Sequence, residues 1–346
     1  MLNKIKNTLE TKLVGYLDDL DKKYSLKEIS PILFKHIREF ALRKGKRVRP
    51  TLFIIGYLGF AKKPIAGLYT SALSLELLHD FMLVHDDIID KSDLRRDKPT
   101  MHILLGRYLK GSKNIKTSGQ DLAIIIGDVM YAMALESFLA IKESPSHKEK
   151  ALRKLFQVAM YTGSGEFIEI LYGARDISKI SQENIYKVYD LKTAYYTFGF
   201  PLTMGAVLAG AKEPEIRKLF KYGVYLGRAF QIKDDILGMF SEEKEIGKSI
   251  LCDLQEAKKT LLVWRAYRKA TPRQKSAIKV ILNKKKITKQ DLLKMRRIVK
   301  ETGSLDYAKK EVLALIKRAQ AALESSQISP KYKNLLNKYC QEILDL

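Results

Sequence analysis

Apolar residues recur at three- and four-residue spacing along nearly all of the chain, and no run shows the strict alternation of a half-buried strand. That pattern restricts the fold to an all-α class. It predicts helices over 3–22, 30–43, 48–57, 65–91, 118–141, 148–173, 182–210, 213–239, 255–269, 271–282, 289–300, 304–324 and 331–344. The punctuation between them is modest: Pro64, Gly111-Ser112, Pro145, Gly163-Ser164-Gly165, Pro214, Gly247, Pro272, Gly303 and Pro330. No low-complexity linker and no fixed-period repeat divides the 346 residues, so a single helical bundle spanning 1–346 is the expectation.

Bulk properties exclude several classes. With 46% hydrophobic residues the chain has ample material for a core. Its two cysteines, Cys252 and Cys340, lack CxxC spacing, which argues against a disulfide scaffold or a thiolate zinc site and fits a reducing, cytoplasmic compartment. The first twenty residues alternate charged and apolar side chains, the pattern of an amphipathic surface helix and not of a signal peptide. Between Lys192 and Lys212 lie 19 uncharged residues, TAYYTFGFPLTMGAVLAGA. The four Gly and Pro residues and three Thr within them point to a helix buried in a bundle, with no integral membrane association.

The formal net charge is +24, and 18 Lys and Arg face only 4 Asp and Glu between Arg265 and Arg318. Only Tyr267 and Tyr307 interleave aromatics there, and no nucleic-acid-binding motif accompanies the excess. Solvated helix faces explain it, and no nucleic acid is expected.

Two acidic clusters carry the chemistry: His85-Asp86-Asp87-Ile88-Ile89-Asp90, and Gln231-Ile232-Lys233-Asp234-Asp235-Ile236-Leu237-Gly238. Both sit in apolar helical patterns, where unpaired carboxylates are costly. Asp86 and Asp90 share a helical face, while Asp87 points about 100° away. Gln231 and Asp235 repeat the four-residue spacing. Magnesium suits such pairs, because it takes one or two carboxylates and completes its shell with water and phosphate oxygens. A single acidic helix end is often just solvated; two of them flanked by cations are more specific. The cations are Lys46, Arg47 and Arg49 in RKGKRVRP, Arg95 and Arg96 after the first cluster, and Lys248 and Lys258 after the second.

Asp86-Asp87-Ile88-Ile89-Asp90, then Arg95-Arg96-Asp97-Lys98-Pro99-Thr100, with GKRVRP upstream and FQIKDDILG downstream, resembles the trans-isoprenyl diphosphate synthases. The resemblance runs from about Gly45 to Leu262 and is most like the short-chain geranylgeranyl diphosphate synthases. It implies an all-α, usually dimeric bundle around a deep apolar cavity, with three magnesium ions per active site. The substrates implied are isopentenyl diphosphate and an allylic diphosphate. Lys46, Arg49, His79 and Arg96 would hold isopentenyl diphosphate. Asp86 and Asp90, with Asp234 opposite, would ligate magnesium, with Asp87 and Asp235 beside them. Arg95, Lys192, Lys248 and Lys258 would contact the allylic diphosphate, and Thr193 and Gln231 would flank the allylic cation.

The same resemblance makes Phe81 and Met82 the floor of the cavity. An aromatic five positions before Asp86 and a smaller side chain four before it resembles enzymes that make C20 products. Periodicity alone favours Met82, since Phe81 points about 140° from Asp86. Two departures stand out: Gly238 replaces the third Asp of the second motif, and Asp97 follows the arginine pair where Gly is more frequent. Activity is expected to survive the first. Farnesyl or longer-chain synthases are the nearest alternatives, and class I terpene cyclases, catalytically silent partner subunits and helical nucleic-acid-binding proteins are more distant ones.

Overall fold

Several helix starts in this chain are marked by side-chain oxygens. Ser30 accepts from the Leu33 amide, with Pro31 at the first helical position, and opens Pro31–Ala41. Full capping boxes open Gly119–Phe138 (Ser118 with Asp121), Gln182–Val188 (Ser181 with Asn184), Pro272–Leu282 (Thr271 with Gln274) and Lys289–Glu301 (Thr288 with Asp291). Each satisfies amide donors that a helix N-terminus leaves unbonded. The computed structural model describes residues 1–95, 98–110, 116–241 and 250–344. The all-α expectation holds. Among the described residues the only strands are Leu94–Arg95 and Lys98–Pro99, an antiparallel ribbon pairing Leu94 with Pro99 and Arg95 with Lys98.

Contacts gather the chain into two compact units, Met1–Leu155 with Pro201–Ala211, and Phe156–Phe200 with Lys212–Leu346. In the first, the helix Leu2–Tyr24 buries Ile5, Leu9, Leu13, Tyr16, Leu17 and Leu20, a single stripe at helical spacing. Tyr16 donates to the Met133 carbonyl at 2.8 Å, tying that helix to Gly119–Phe138. The central helix is Leu68–Ile89, buried on every side from Ser71 to Leu78, and it packs chiefly on Gly119–Phe138. Phe200–Leu208 crosses Val48–Leu58 at backbone contact. An added Cβ at Gly56 would lie 2.0 Å from the Leu202 carbonyl oxygen, and one at Gly205 would lie 2.0 Å from that of Phe53. Only glycine fits at either position.

In the second unit, Glu213–Phe240 lays down Ile216, Leu219, Tyr222, Leu226, Ala229, Ile232, Ile236 and Met239 as its buried face. It packs against Ser304–Glu324 and against residues 189–199. Tyr222 is fully buried and donates to the Leu336 carbonyl at 2.8 Å.

The structure corrects several boundaries. The helix expected over 182–210 is three pieces: Gln182–Val188, a π-helical segment Tyr189–Gly199, and Phe200–Leu208. Pro201 has no N–H to bond the carbonyl four residues earlier, and the Phe200 amide bonds the Tyr195 carbonyl five back. The helix expected over 255–269 breaks into Cys252–Gln255 and Leu261–Lys269, because Thr260 caps the second and Ala257 takes a left-handed φ of 52°. Gly163-Ser164-Gly165 does not interrupt Pro145–Ala174, and Met101–Leu109 is a helix the periodicity did not single out.

Candidate active site

Three carboxylates cluster at the C-terminal end of Leu68–Ile89, the end where the helix dipole disfavours negative charge. The Asp90 amide closes the last turn on the Asp86 carbonyl at 2.8 Å. The chain then turns through Lys91, at φ 53°, into the ribbon, which brings Arg95 back over the acids. Arg95 Nε donates to Asp87 Oδ1 at 2.6 Å, and its terminal nitrogen to Asp86 Oδ2 at 3.1 Å. Asp87 is fully buried, and its Oδ2 finds no hydrogen-bond partner among the described residues. Burial pushes its carboxyl up to about 6, against the opposing pull of Arg95. Asp86 and Asp90 are only partly buried. The pair therefore presents hard oxygen donors, while Asp87 is held beneath them.

The GKRVRP segment divides its cations between two tasks. Arg47 turns inward at φ 50° and is 3% exposed. It meets Glu76 at 2.5 Å, Glu10 at 2.9 Å, and the carbonyls of Ala41 and Arg43 at 3.1 and 3.0 Å. Lys46 is exposed, and Arg49 and His79 are half-buried. Arg47 is thus a structural anchor, while Lys46 beside it stays exposed. Phe81 and Met82 are both half-buried, and the Phe81 ring packs 4.7 Å from His85 and 5.2 Å from Tyr131, centroid to centroid. Tyr131, from the neighbouring helix, was not anticipated.

In the second unit Asp234 is exposed, whereas Asp235 is 6% exposed with both oxygens engaged. Gln231 Nε2 donates to Asp235 Oδ1 at 2.9 Å, Tyr189 donates to Asp235 Oδ2, and Thr193 donates to Gln231 Oε1 at 2.6 Å. Burial first, and neighbouring carboxylates second, drive the Asp235 carboxyl well above the usual range, while its two donors pull the other way. Lys192, on the π-helical segment, is clamped by Glu166 at 2.5 Å and Glu169 at 2.6 Å. Lys258 lies in the break before Leu261–Lys269 and meets Glu256 at 2.6 Å and Asp253 at 3.7 Å. Arg96, Asp97 and Lys248 lie outside the described residues.

The structure therefore joins Asp86, Asp87 and Arg95 in one network, and Thr193, Gln231 and Asp235 in another. Tyr189, Glu166, Glu169, Asp253 and Glu256 went unmarked in the sequence. Glu166 and Glu169 carry the three-residue spacing of a shared helix face, the one local signal that marks them. The cations suited to phosphate, namely Arg95, Lys192 and Lys258, are each held by carboxylates. Bound diphosphate and divalent metal would exchange those partners, with phosphate oxygens taking the cations and metal taking acid oxygens.

The sequence profile of the polyprenyl synthetase family matches residues 30–299. The chain belongs to the polyprenyl synthetase family. It is 32% identical over 298 residues to a geranylgeranyl diphosphate synthase of Sulfolobus acidocaldarius, covering 86% of this chain and 84% of that one. It is 33% identical over 274 residues to that of Saccharolobus solfataricus, covering 76% and 75%. The crystal structure of a Corynebacterium glutamicum geranylgeranyl pyrophosphate synthase, complexed with isoprenyl diphosphate and magnesium, matches with a TM-score of 0.91 at 26% identity. That match covers 100% of this chain and 99% of that one. This polyprenyl synthetase is a prenyltransferase of the trans-isoprenyl diphosphate synthase kind, and its acids are compatible with a divalent metal. No helix among its described residues is long and apolar enough to cross a membrane.

Proposed function

We propose that residues 1–346 act as one catalytic domain that condenses an allylic diphosphate with isopentenyl diphosphate, head to tail, giving chiefly the C20 product geranylgeranyl diphosphate. The observation that carries the chain length is Phe81, packed against His85 and Tyr131 one and a half turns before Asp86, with the slimmer Met82 beside it. The relatives named as geranylgeranyl diphosphate synthases support the same length.

In this reading Asp86 and Asp90 on the first cluster and Asp234 on the second would hold magnesium, three ions per active site, which would supply Lewis-acid stabilisation of diphosphate charge. Asp87 and Asp235 support these neighbours from buried positions. Lys46, Arg49, His79 and Arg96 hold isopentenyl diphosphate. Arg95, Lys192, Lys248 and Lys258 meet the allylic diphosphate and steady its negative charge as the C–O bond breaks. Oxygen lone pairs of Thr193 and Gln231 face the allylic cation. The isopentenyl double bond attacks that cation, and the resulting carbocation loses a proton to the released diphosphate. No residue becomes covalently attached.

The enzyme works in the cytoplasm as a homodimer. Support for a second copy comes from Pro145–Ala174, where Phe156, Met160, Phe167, Ile170 and Leu171 form one exposed apolar stripe, Phe167 being 65% exposed. Such a stripe on a helix marks a protein contact. Sedimentation of wild type and of Met160→Asp tests it: a monomeric wild type overturns the dimer.

The catalytic reading is tested by incubating the protein with isopentenyl diphosphate, magnesium and each of the C5, C10 and C15 allylic diphosphates, then sizing the dephosphorylated products. A dominant C20 alcohol is expected. C15 or longer dominant products would overturn the chain length, and cyclised hydrocarbons or no condensation would overturn the reaction.

A further inference from the structure

We infer that Tyr189 is a positioning residue that fixes the polarity of the Thr193–Gln231 pair; this rests on the proposed reading, in which that pair lies beside the allylic carbon. Leu261 occupies the first position of Leu261–Lys269, so its amide has no partner within the helix. That N–H donates to Tyr189 Oη at 2.9 Å. With its oxygen accepting there, the phenol directs its single proton to Asp235 Oδ2. Tyr189 is 5% exposed, and burial together with the adjacent carboxylate holds its hydroxyl well above the ordinary value, so it keeps the proton it donates.

Asp235, anchored on one oxygen, offers the other to Gln231 Nε2 at 2.9 Å. An amide has one donor end and one acceptor end, so this contact turns Gln231 Oε1 toward Thr193. The Thr193 hydroxyl donates to it at 2.6 Å and has no second proton to give. What Thr193 Oγ1 and Gln231 Oε1 still present is lone pairs. The opposite amide orientation would place an N–H against Thr193 and release its hydroxyl proton outward, toward a developing positive charge. The chain from the Leu261 amide through Tyr189, Asp235 and Gln231 to Thr193 selects the electronegative arrangement. Charge stabilisation of this kind works best when the dipoles are oriented before reaction.

The test uses the 346-residue chain with magnesium, an allylic diphosphate and isopentenyl diphosphate. Tyr189→Phe keeps the ring and removes the donor. It should lower kcat at least about tenfold while the KM for isopentenyl diphosphate stays within roughly twofold. Thr193→Val should also lower kcat. Because Tyr189 acts through Thr193, Tyr189→Phe added to Thr193→Val should cost less than about twofold more. Losses that multiply, or a Tyr189→Phe enzyme with wild-type kcat, would overturn the inference. Thermal melts accompany each variant. If Tyr189→Phe does not fold, Asp235→Asn keeps the shape, breaks the next link, and must reproduce both the kcat loss and its silence beside Thr193→Val. A wild type that forms no prenyl product overturns the proposed function as well, whereas an active wild type with independent variants overturns only the role of Tyr189.

Discussion

A side chain at position 238 would collide with Asp253: a Cβ built on Gly238 lies 2.7 Å from Asp253 Oδ2. The cluster that lacks a third acid of its own thus has one from a later element standing over the gap. Gly238→Ala needs only a rotation of the Asp253 carboxylate and should cost less than about 1 kcal/mol. Gly238→Asp adds like-charge repulsion and should be worse in both melting temperature and kcat. Asp253→Gly combined with Gly238→Asp should recover much of the loss. Wild-type melting and turnover in Gly238→Asp alone would show that Asp253 simply swings aside.

Asp86 is half-buried and shares Arg95 with Asp87, so its removal leaves Arg95 partnered. Asp86→Ala should therefore keep its helical circular dichroism. Condensation should fall about a thousandfold, equivalent to roughly 4 kcal/mol of lost transition-state stabilisation. Wild-type enzyme in excess chelator should be equally inactive; full turnover there would remove the metal from the mechanism.

Asp87 makes stability depend on pH. Its carboxyl is raised by burial to about 6 in the folded chain, so the folded state holds a proton that the unfolded state has already lost. That contribution is complete below the ordinary carboxylate value and disappears as pH rises through about 6. In metal-free buffer, wild type should lose on the order of 1–3 kcal/mol relative to Asp87→Asn between pH 4 and pH 7. Parallel stability curves for the two proteins across that range would contradict the shift.

Arg47 is buried against Glu76, which is itself 2% exposed. Glu76→Ala leaves a buried guanidinium short of its main partner and should cost about 3–5 kcal/mol. Glu10→Ala touches the more exposed partner and should cost less. Urea denaturation of both variants gives the order, and equal losses would mean that the Glu76 contact is no stronger than the Glu10 contact.

Chain length should respond to two adjacent residues in opposite senses. Phe81→Ala removes a ring able to bury roughly 150–250 Å² and should lengthen products beyond C20. Met82→Phe adds a ring and should shift them toward C15. An unchanged spectrum from a well-folded Phe81→Ala enzyme would place the floor elsewhere.

What the sequence made legible was local. The all-α class, the helix over Ser304–Glu324 to the residue and the Gln231–Asp235 pairing all follow from spacing along one helix. The π-helical segment depends on a proline acting together with the packing of Gly199 and Ala194 against Gly223 and Gly227, which periodicity does not register. Arg47 and Lys46 look alike in GKRVRP; the difference arises because Glu10 and Glu76, distant in sequence, close over only one of them. Tyr189 has no mark in the sequence at all, since its hydroxyl matters through an amide 72 residues later.

A π-helical stretch accommodates one more residue than regular winding would over the same span. Here that surplus falls where Lys192 and Thr193 are displayed, between Gln182–Val188 and Phe200–Leu208. Deleting a single residue from 189–199 could relax the stretch to ordinary winding while both flanking helices kept their places. Lys192 and Thr193 would then rotate by up to about 100° about the helix axis. The chain would retain its core and lose its aim, so this is where a one-codon loss could separate folding from catalysis in a descendant of this protein.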